Sequence, residues 1–317
     1  MKIGKLIFQL VKILVIIISI GYIVLKIYHD QQRGIIFNNF NDYSFFDGLS
    51  FLVVFLLVFV NWFFESLKFK LLVKPIQQIT IKKSVQAVLA GITVSIFTPQ
   101  RLGDFGGRIF VLETKNRLNG IFATLLGSLS QLLITLIVGA LLFPVYAAKN
   151  NVVFSYSINY VFLIPIAVLV LVALFTGYLN LSHLGALLSR FKFFAKHYSL
   201  IHFMQKYSKR NLLIVLLISM LRYVVFSFQF VVLLKLFNVE INYINALVGI
   251  SQVYFLMAII PTFALGELGV RGSLSLWILG VYTTAVSGII AASIFLWILN
   301  LALPALVGVY FLSKLRY

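Results

Sequence analysis

Apolar stretches of about 20 residues, the length of helix that crosses the hydrocarbon of a bilayer, recur throughout this 317-residue chain and constrain its fold more than any other feature. Six are long: 6–25, 48–64, 118–146, 159–180, 211–237 and 287–313. A soluble domain carries about 25% charged residues, whereas here 11% are charged and 62% hydrophobic. The sequence therefore predicts an all-α integral membrane protein, one polytopic domain over 1–317, and excludes a soluble globular fold. The first stretch follows Lys2 and Lys5 as a signal sequence would. Lys12 interrupts it and no small-residue cleavage site follows, so it is expected to remain as a helix.

Two further stretches, 84–98 and 246–260, are apolar but short. At 1.5 Å per residue each reaches about 22 Å, against ~30 Å of hydrocarbon. Both run into a proline and a glycine-rich charged motif, as expected of a re-entrant hairpin whose broken backbone is buried in protein or lines a cavity. The expected architecture is six membrane-spanning helices plus two re-entrant hairpins.

The two motifs are alike. Residues 98–108 read TPQRLGDFGGR and residues 261–271 read PTFALGELGVR. Both spell G-[DE]-[FL]-G-x-R behind a proline, and the acid, the arginine, the proline and the preceding short apolar stretch all recur, which marks an internal repeat. Repeat 1 covers about 48–146 and repeat 2 about 211–313. With the amino terminus in the cytoplasm and each hairpin returning to its own side, seventeen Lys and Arg face the cytoplasm and four face outward. That asymmetry predicts both termini inside. The first hairpin then enters from the cytoplasm and the second from outside, an inverted-topology repeat whose discontinuous helices frame a midplane substrate site.

Pro99, Gly103, Gly106, Pro261, Gly266 and Gly269 are the expected hairpin-breaking residues, since glycine permits sharp turns and proline ends helices. Asp104 with Arg108, and Glu267 with Arg271, are spaced to pair across one helical turn. Arg101, Asp104, Arg108, Arg222, Glu267 and Arg271 are the candidate substrate-binding residues. The arginines suit a phosphate; the acids suit a cationic headgroup or proton exchange. Arg222, mid-way along its apolar stretch, is expected to face the bundle and pair with Asp104, Glu113 or Glu267. Gln131, Gln229, Gln252 and Asn300 are expected to hydrogen-bond between helices.

The net charge of +18 sits mostly between the apolar stretches, where it meets anionic headgroups, so no nucleic-acid partner is expected. Basic and aromatic residues interleave over 181–210, as in a helix lying on an anionic leaflet. Cysteines are absent, and the four histidines stand outside the apolar stretches without metal-ligand spacing, so no metal or other cofactor is expected.

At the two motifs the chain resembles the lysylphosphatidylglycerol synthase transmembrane-domain family, also called flippase-like domain proteins. The resemblance rests on Pro99–Arg108 and Pro261–Arg271 and extends over nearly the whole length. Gly272 follows the second arginine where the family often has glutamate, and Glu267 stands before it instead. What the resemblance implies is lipid handling: translocation of a phospholipid or other phosphate-bearing lipid between the leaflets of the cell (inner) membrane. The family's soluble transferase domain has no counterpart here, so lysyl transfer is not expected, and a separately encoded lipid-modifying enzyme is the expected partner. The alternative is a membrane enzyme or accessory subunit acting on a polyprenyl-phosphate-linked sugar donor, with Asp30, Asp42 and Asp47 as candidate acids.

Overall fold

The computed structural model describes residues 48–96, 98, 101–149, 160–188, 203–262 and 264–313, together with Gly21, Val24, Leu25 and Tyr28. Most of the expected first span, Pro99, Asp30, Asp42, Asp47 and residues 189–202 lie outside these. The described residues form helices α1 (Gly48–Val73), α2 (Ile81–Ile96), α3 (Gly103–Ile109), α4 (Arg117–Lys149), α5 (Tyr160–Leu179), α6 (Leu181–Leu188), α7 (Lys209–Leu236), α8 (Tyr243–Ile259), α9 (Ala264–Leu279), α10 (Val286–Trp297) and α11 (Leu303–Ser313), and among them is no strand. Four helical stretches are long and apolar enough to cross a membrane: Gly48–Val73, Thr114–Lys149, Lys209–Leu236 and Val286–Ser313. The bent pair α5–α6 makes a fifth if counted as one span, so the described residues supply four or five spans where six were expected.

The spanning helices expose apolar faces and bury a mixture of apolar and polar residues. On α1 the exposed face carries Leu49, Leu52, Leu56, Phe59 and Phe63. Its buried stripe, at helical spacing, runs Val54, Val58, Asn61, Glu65, Lys68 and Leu72. Lipid solvates the first face, and only protein partners satisfy the second.

α1 and α7 pack antiparallel: Gln229 donates to the Val54 carbonyl at 3.0 Å, Arg222 pairs with Glu65, and the Tyr207 hydroxyl donates to the Leu72 carbonyl. Two folded-back pairs pack beside them, the first against α1 and the second against α7. In the first, Gly103 of α3 lies against Val94 of α2 and Gly107 against Gly91, so α3 retraces α2. In the second, Gly249 of α8 lies against Ile278 and Leu279 of α9. α2 starts beside Ser66 and runs antiparallel to α11, with the Thr93 hydroxyl donating to the Ala305 carbonyl at 2.8 Å. α8 starts beside Lys149 and runs antiparallel to α4, with Gln252 donating to the Gly139 carbonyl at 3.0 Å. The two pairs enter the bundle from opposite ends, and their tips meet.

At ~1.5 Å per residue, α2 and α8 reach only about 24–26 Å. α8 ends because Ile260, preceding Pro261, is extended (φ −80°, ψ 118°), the conformation a following proline imposes. After α2 the chain turns through Thr98, whose hydroxyl accepts from the Gly103 amide at 2.7 Å, and Arg101, in the left-handed region at φ 55°. The glycine expectation needs correction. Gly106, Gly266 and Gly269 lie inside helices and Gly103 begins one, so the breaks fall at the residues before them. Gly103 and Gly107 serve close approach instead: a Cβ on Gly107 would stand 2.5 Å from the Gly91 Cα. Between α10 and α11, residues Ile298–Ala302 form a π turn one turn ahead of Pro304, which has no N–H to continue the α-helical ladder.

Gly107→Ala should cost about 1–3 kcal/mol through overpacking, read as a lower melting temperature in detergent. Gly106→Ala, whose Cβ meets nothing within 4 Å, should be neutral or stabilising by up to ~1 kcal/mol.

Candidate functional site

The buried stripe of α1 carries Glu65 into the interior of the bundle, where it is 4% exposed. Three cations donate to it: Arg108 of α3 at 2.7 Å, Arg222 of α7 at 2.7 Å and Lys68, one turn along α1, at 2.8 Å. Arg108 also presents Nε and Nη2 to the two Asp104 oxygens, both at 2.7 Å, a bidentate pair across one turn of α3. Its guanidinium lies 5.6 Å from the Phe69 ring centroid. Arg222 adds a 2.9 Å bond from Nε to Asn61 and lies 5.2 Å from the Trp62 ring centroid.

Asn61 leads into a chain of amides. It donates to Asn300 in the π turn at 2.9 Å, and Asn300 donates to Gln229 at 2.8 Å. Every buried polar atom needs such a partner where water is absent. The π turn re-aims Asn300 so that one side chain serves both α1 and α7.

A second ion cluster sits on α9. Glu267 accepts from Arg271, one turn along the same helix, and from Arg101 at the tip of the α2–α3 pair. Arg271 stacks 5.6 Å from the Phe226 centroid, and its Nε and Nη1 are buried without hydrogen-bond partners.

Both clusters line one cavity of about 610 Å³ bounded by α1, α2, α3, α4, α7, α8 and α9. Arg101, Asp104, Arg108, Arg222, Glu267 and Arg271 all reach it, together with Glu65, Lys68 and Asn61. Tyr254, Met257, Ile92 and Leu132 supply apolar walls. Pro261 lines it at the α8–α9 break. Among the described residues no His, Asp and Glu side chains gather in the threes that a metal site needs. A concave, partly apolar site with convergent charged groups is what a small amphiphilic ligand requires.

Arg222 does face the bundle, but its partner is none of the three acids expected for it. Asp104 and Glu267 are engaged by arginines of the motifs. Glu113 is exposed and pairs with Lys115. Glu65 lies beyond the expected end of its span, and a charge at the end of an apolar run reads as the membrane boundary. The legible sign was the 3–4-residue spacing of Val54, Val58, Asn61, Glu65, Lys68 and Leu72, which puts them on one face. Lys68, counted among the cytoplasmic charges, is 1% exposed and ion-paired. Removing it from the count leaves the asymmetry in place.

The family described as the lysylphosphatidylglycerol synthase TM region matches residues 10–308. The chain belongs to this family. It is thus a multi-pass membrane protein of a lipid-related family, and every cavity residue falls within the matched span. Comparison with curated proteins and with solved structures finds no match.

Glu65→Ala would leave Lys68, Arg108 and Arg222 around a vanished carboxylate, and breaking a buried pair in this way costs about 3–5 kcal/mol. We expect loss of monodisperse protein on size exclusion. Glu65→Gln combined with Arg222→Gln should lose less than the two single changes together, because the pair is removed as a unit.

Proposed function

We propose that the protein moves a phosphate-bearing lipid between the leaflets of the cell membrane, the headgroup passing through the cavity while the acyl chains stay in the surrounding hydrocarbon. The observation that carries this reading is the concentration of arginines in a concave site reached by both hairpin tips. A phosphate crossing hydrocarbon alone meets a large desolvation cost, as any charge does there. Guanidinium groups held in place by acids offset that cost without themselves needing to be solvated.

In this reading α1–α4 and α7–α11 are inverted-topology repeats. The opposite directions of α2 and α8 support it, as do the matched packing of α2 on α11 and of α8 on α4. Both termini then face the cytoplasm. The chain does not modify its lipid; a separately encoded enzyme does.

Two measurements test these statements. In liposomes holding purified protein and acyl-labelled phospholipid, wild type should accelerate leaflet exchange. Arg222→Ala and Glu267→Gln should each slow it by at least about tenfold, the equivalent of ~1.4 kcal/mol of lost barrier lowering, while eluting as folded protein. Exchange at the wild-type rate in both variants would remove the cavity as the path. For orientation, the chain has no native cysteine, so single cysteines can be labelled with an impermeant thiol reagent. Lys82→Cys and Lys115→Cys should react from the cytoplasm, and Glu240→Cys and Thr284→Cys from outside. Reaction of the first two from opposite faces would contradict the hairpin reading.

A further inference from the structure

We infer that the cavity takes lipids whose headgroup bears net negative charge and turns away cationic, aminoacylated ones; this rests on the translocation reading and specifies its substrate. Five basic side chains line the cavity against three acidic ones, Glu65, Asp104 and Glu267. Every one of those carboxylates is committed. Glu65 holds three cations, Asp104 faces both nitrogens on one edge of Arg108, and Glu267 is shared between Arg101 and Arg271.

An incoming ammonium group finds no described carboxylate in the cavity without a cation already on it. It meets a formal surplus of two positive charges in surroundings where Coulomb forces are little screened. The other described acids are elsewhere: Glu113 is exposed beside Lys115, and Glu240 lines a separate depression next to Lys235.

An anion finds the reverse. Arg271 is 7% exposed, lines the cavity, and keeps Nε and Nη1 without hydrogen-bond partners. Buried donors left unpaired in this way are rare, and a bound acceptor satisfies them. Glu267 holds the Arg271 guanidinium through Nη2 and so fixes the free donors in place. Arg101, with its side chain 42% exposed, is the cation best placed to meet a phosphate arriving at the rim.

The family's description names lysylphosphatidylglycerol, whose headgroup sets two ammonium groups against one phosphate. The charges in this cavity fit the unmodified phosphatidylglycerol, with one phosphate and no ammonium.

The test uses the full-length protein in liposomes that carry trace acyl-labelled phosphatidylglycerol, phosphatidylcholine or lysylphosphatidylglycerol, with exchange read by quenching of the outer leaflet. Phosphatidylglycerol should exchange at least about tenfold faster than lysylphosphatidylglycerol, and Arg271→Gln should narrow that gap. Phosphatidylglycerol moving no faster than either of the other two overturns the inference and leaves translocation standing. Exchange of none of the three overturns the translocation reading. Headgroup preference is then read from binding, as the rise in melting temperature of the detergent-purified wild type on adding short-chain forms of each lipid. A larger rise with phosphatidylglycerol sustains the charge selection; an equal or larger rise with lysylphosphatidylglycerol overturns it. The wild-type comparisons need no variant, so poor folding of Arg271→Gln does not blunt the test.

Discussion

Glu65 meets Lys68, Arg108 and Arg222 among helices whose outer faces are apolar, where any of these charges alone would be costly to hold. The cations come from α1, α3 and α7, so one carboxylate fixes how a spanning helix, a hairpin and a second spanning helix sit together. The remaining polar contacts extend from it. Asp104 orients Arg108 from behind, Asn61 orients Arg222, and Asn300 and Gln229 continue the chain of bonds across the bundle. Because every member has a partner, the network specifies one arrangement of helices rather than several.

Association of helices in lipid draws little from the hydrophobic effect and relies on close approach and hydrogen bonds. The glycines show this at particular places. Gly91 and Gly107 let α2 and α3 touch backbone to backbone, and Gly308 lies against the Leu89 carbonyl where α11 crosses α2. On the other side of the bundle Gly139 of α4 lies against Phe255 of α8. A small residue thus stands at both crossings, of α2 with α11 and of α8 with α4.

Much of this was legible beforehand. Long apolar runs marked α1, α4, α7 and the α10–α11 span, and the spacing of Asp104 to Arg108 and of Glu267 to Arg271 anticipated both intrahelical pairs. The partner of Arg222 was not legible, since pairing across 157 residues depends on how helices pack and leaves no local mark. Glu65 itself was obscured because hydropathy averages around a helix: the exposed face of α1 is apolar, its buried stripe mixes Val54, Val58 and Leu72 with Asn61, Glu65 and Lys68, and the run ends where the stripe becomes charged. At the hairpin turns Pro261 ends α8 through the residue before it, as a proline is expected to, whereas Gly106, Gly266 and Gly269 lie inside helices and Gly103 and Gly107 serve close approach. The span count fell short because one expected span lies largely outside the described residues and α5–α6 bends by 77°.

The contact between Arg101 and Glu267 has a mechanical meaning as well as an electrical one. Each folded-back pair is anchored at its own end of the bundle, and an ion pair between residues 166 positions apart in the chain joins the two tips. Parting the tips would therefore open that pair and leave the buried Glu267 carboxylate to Arg271 alone.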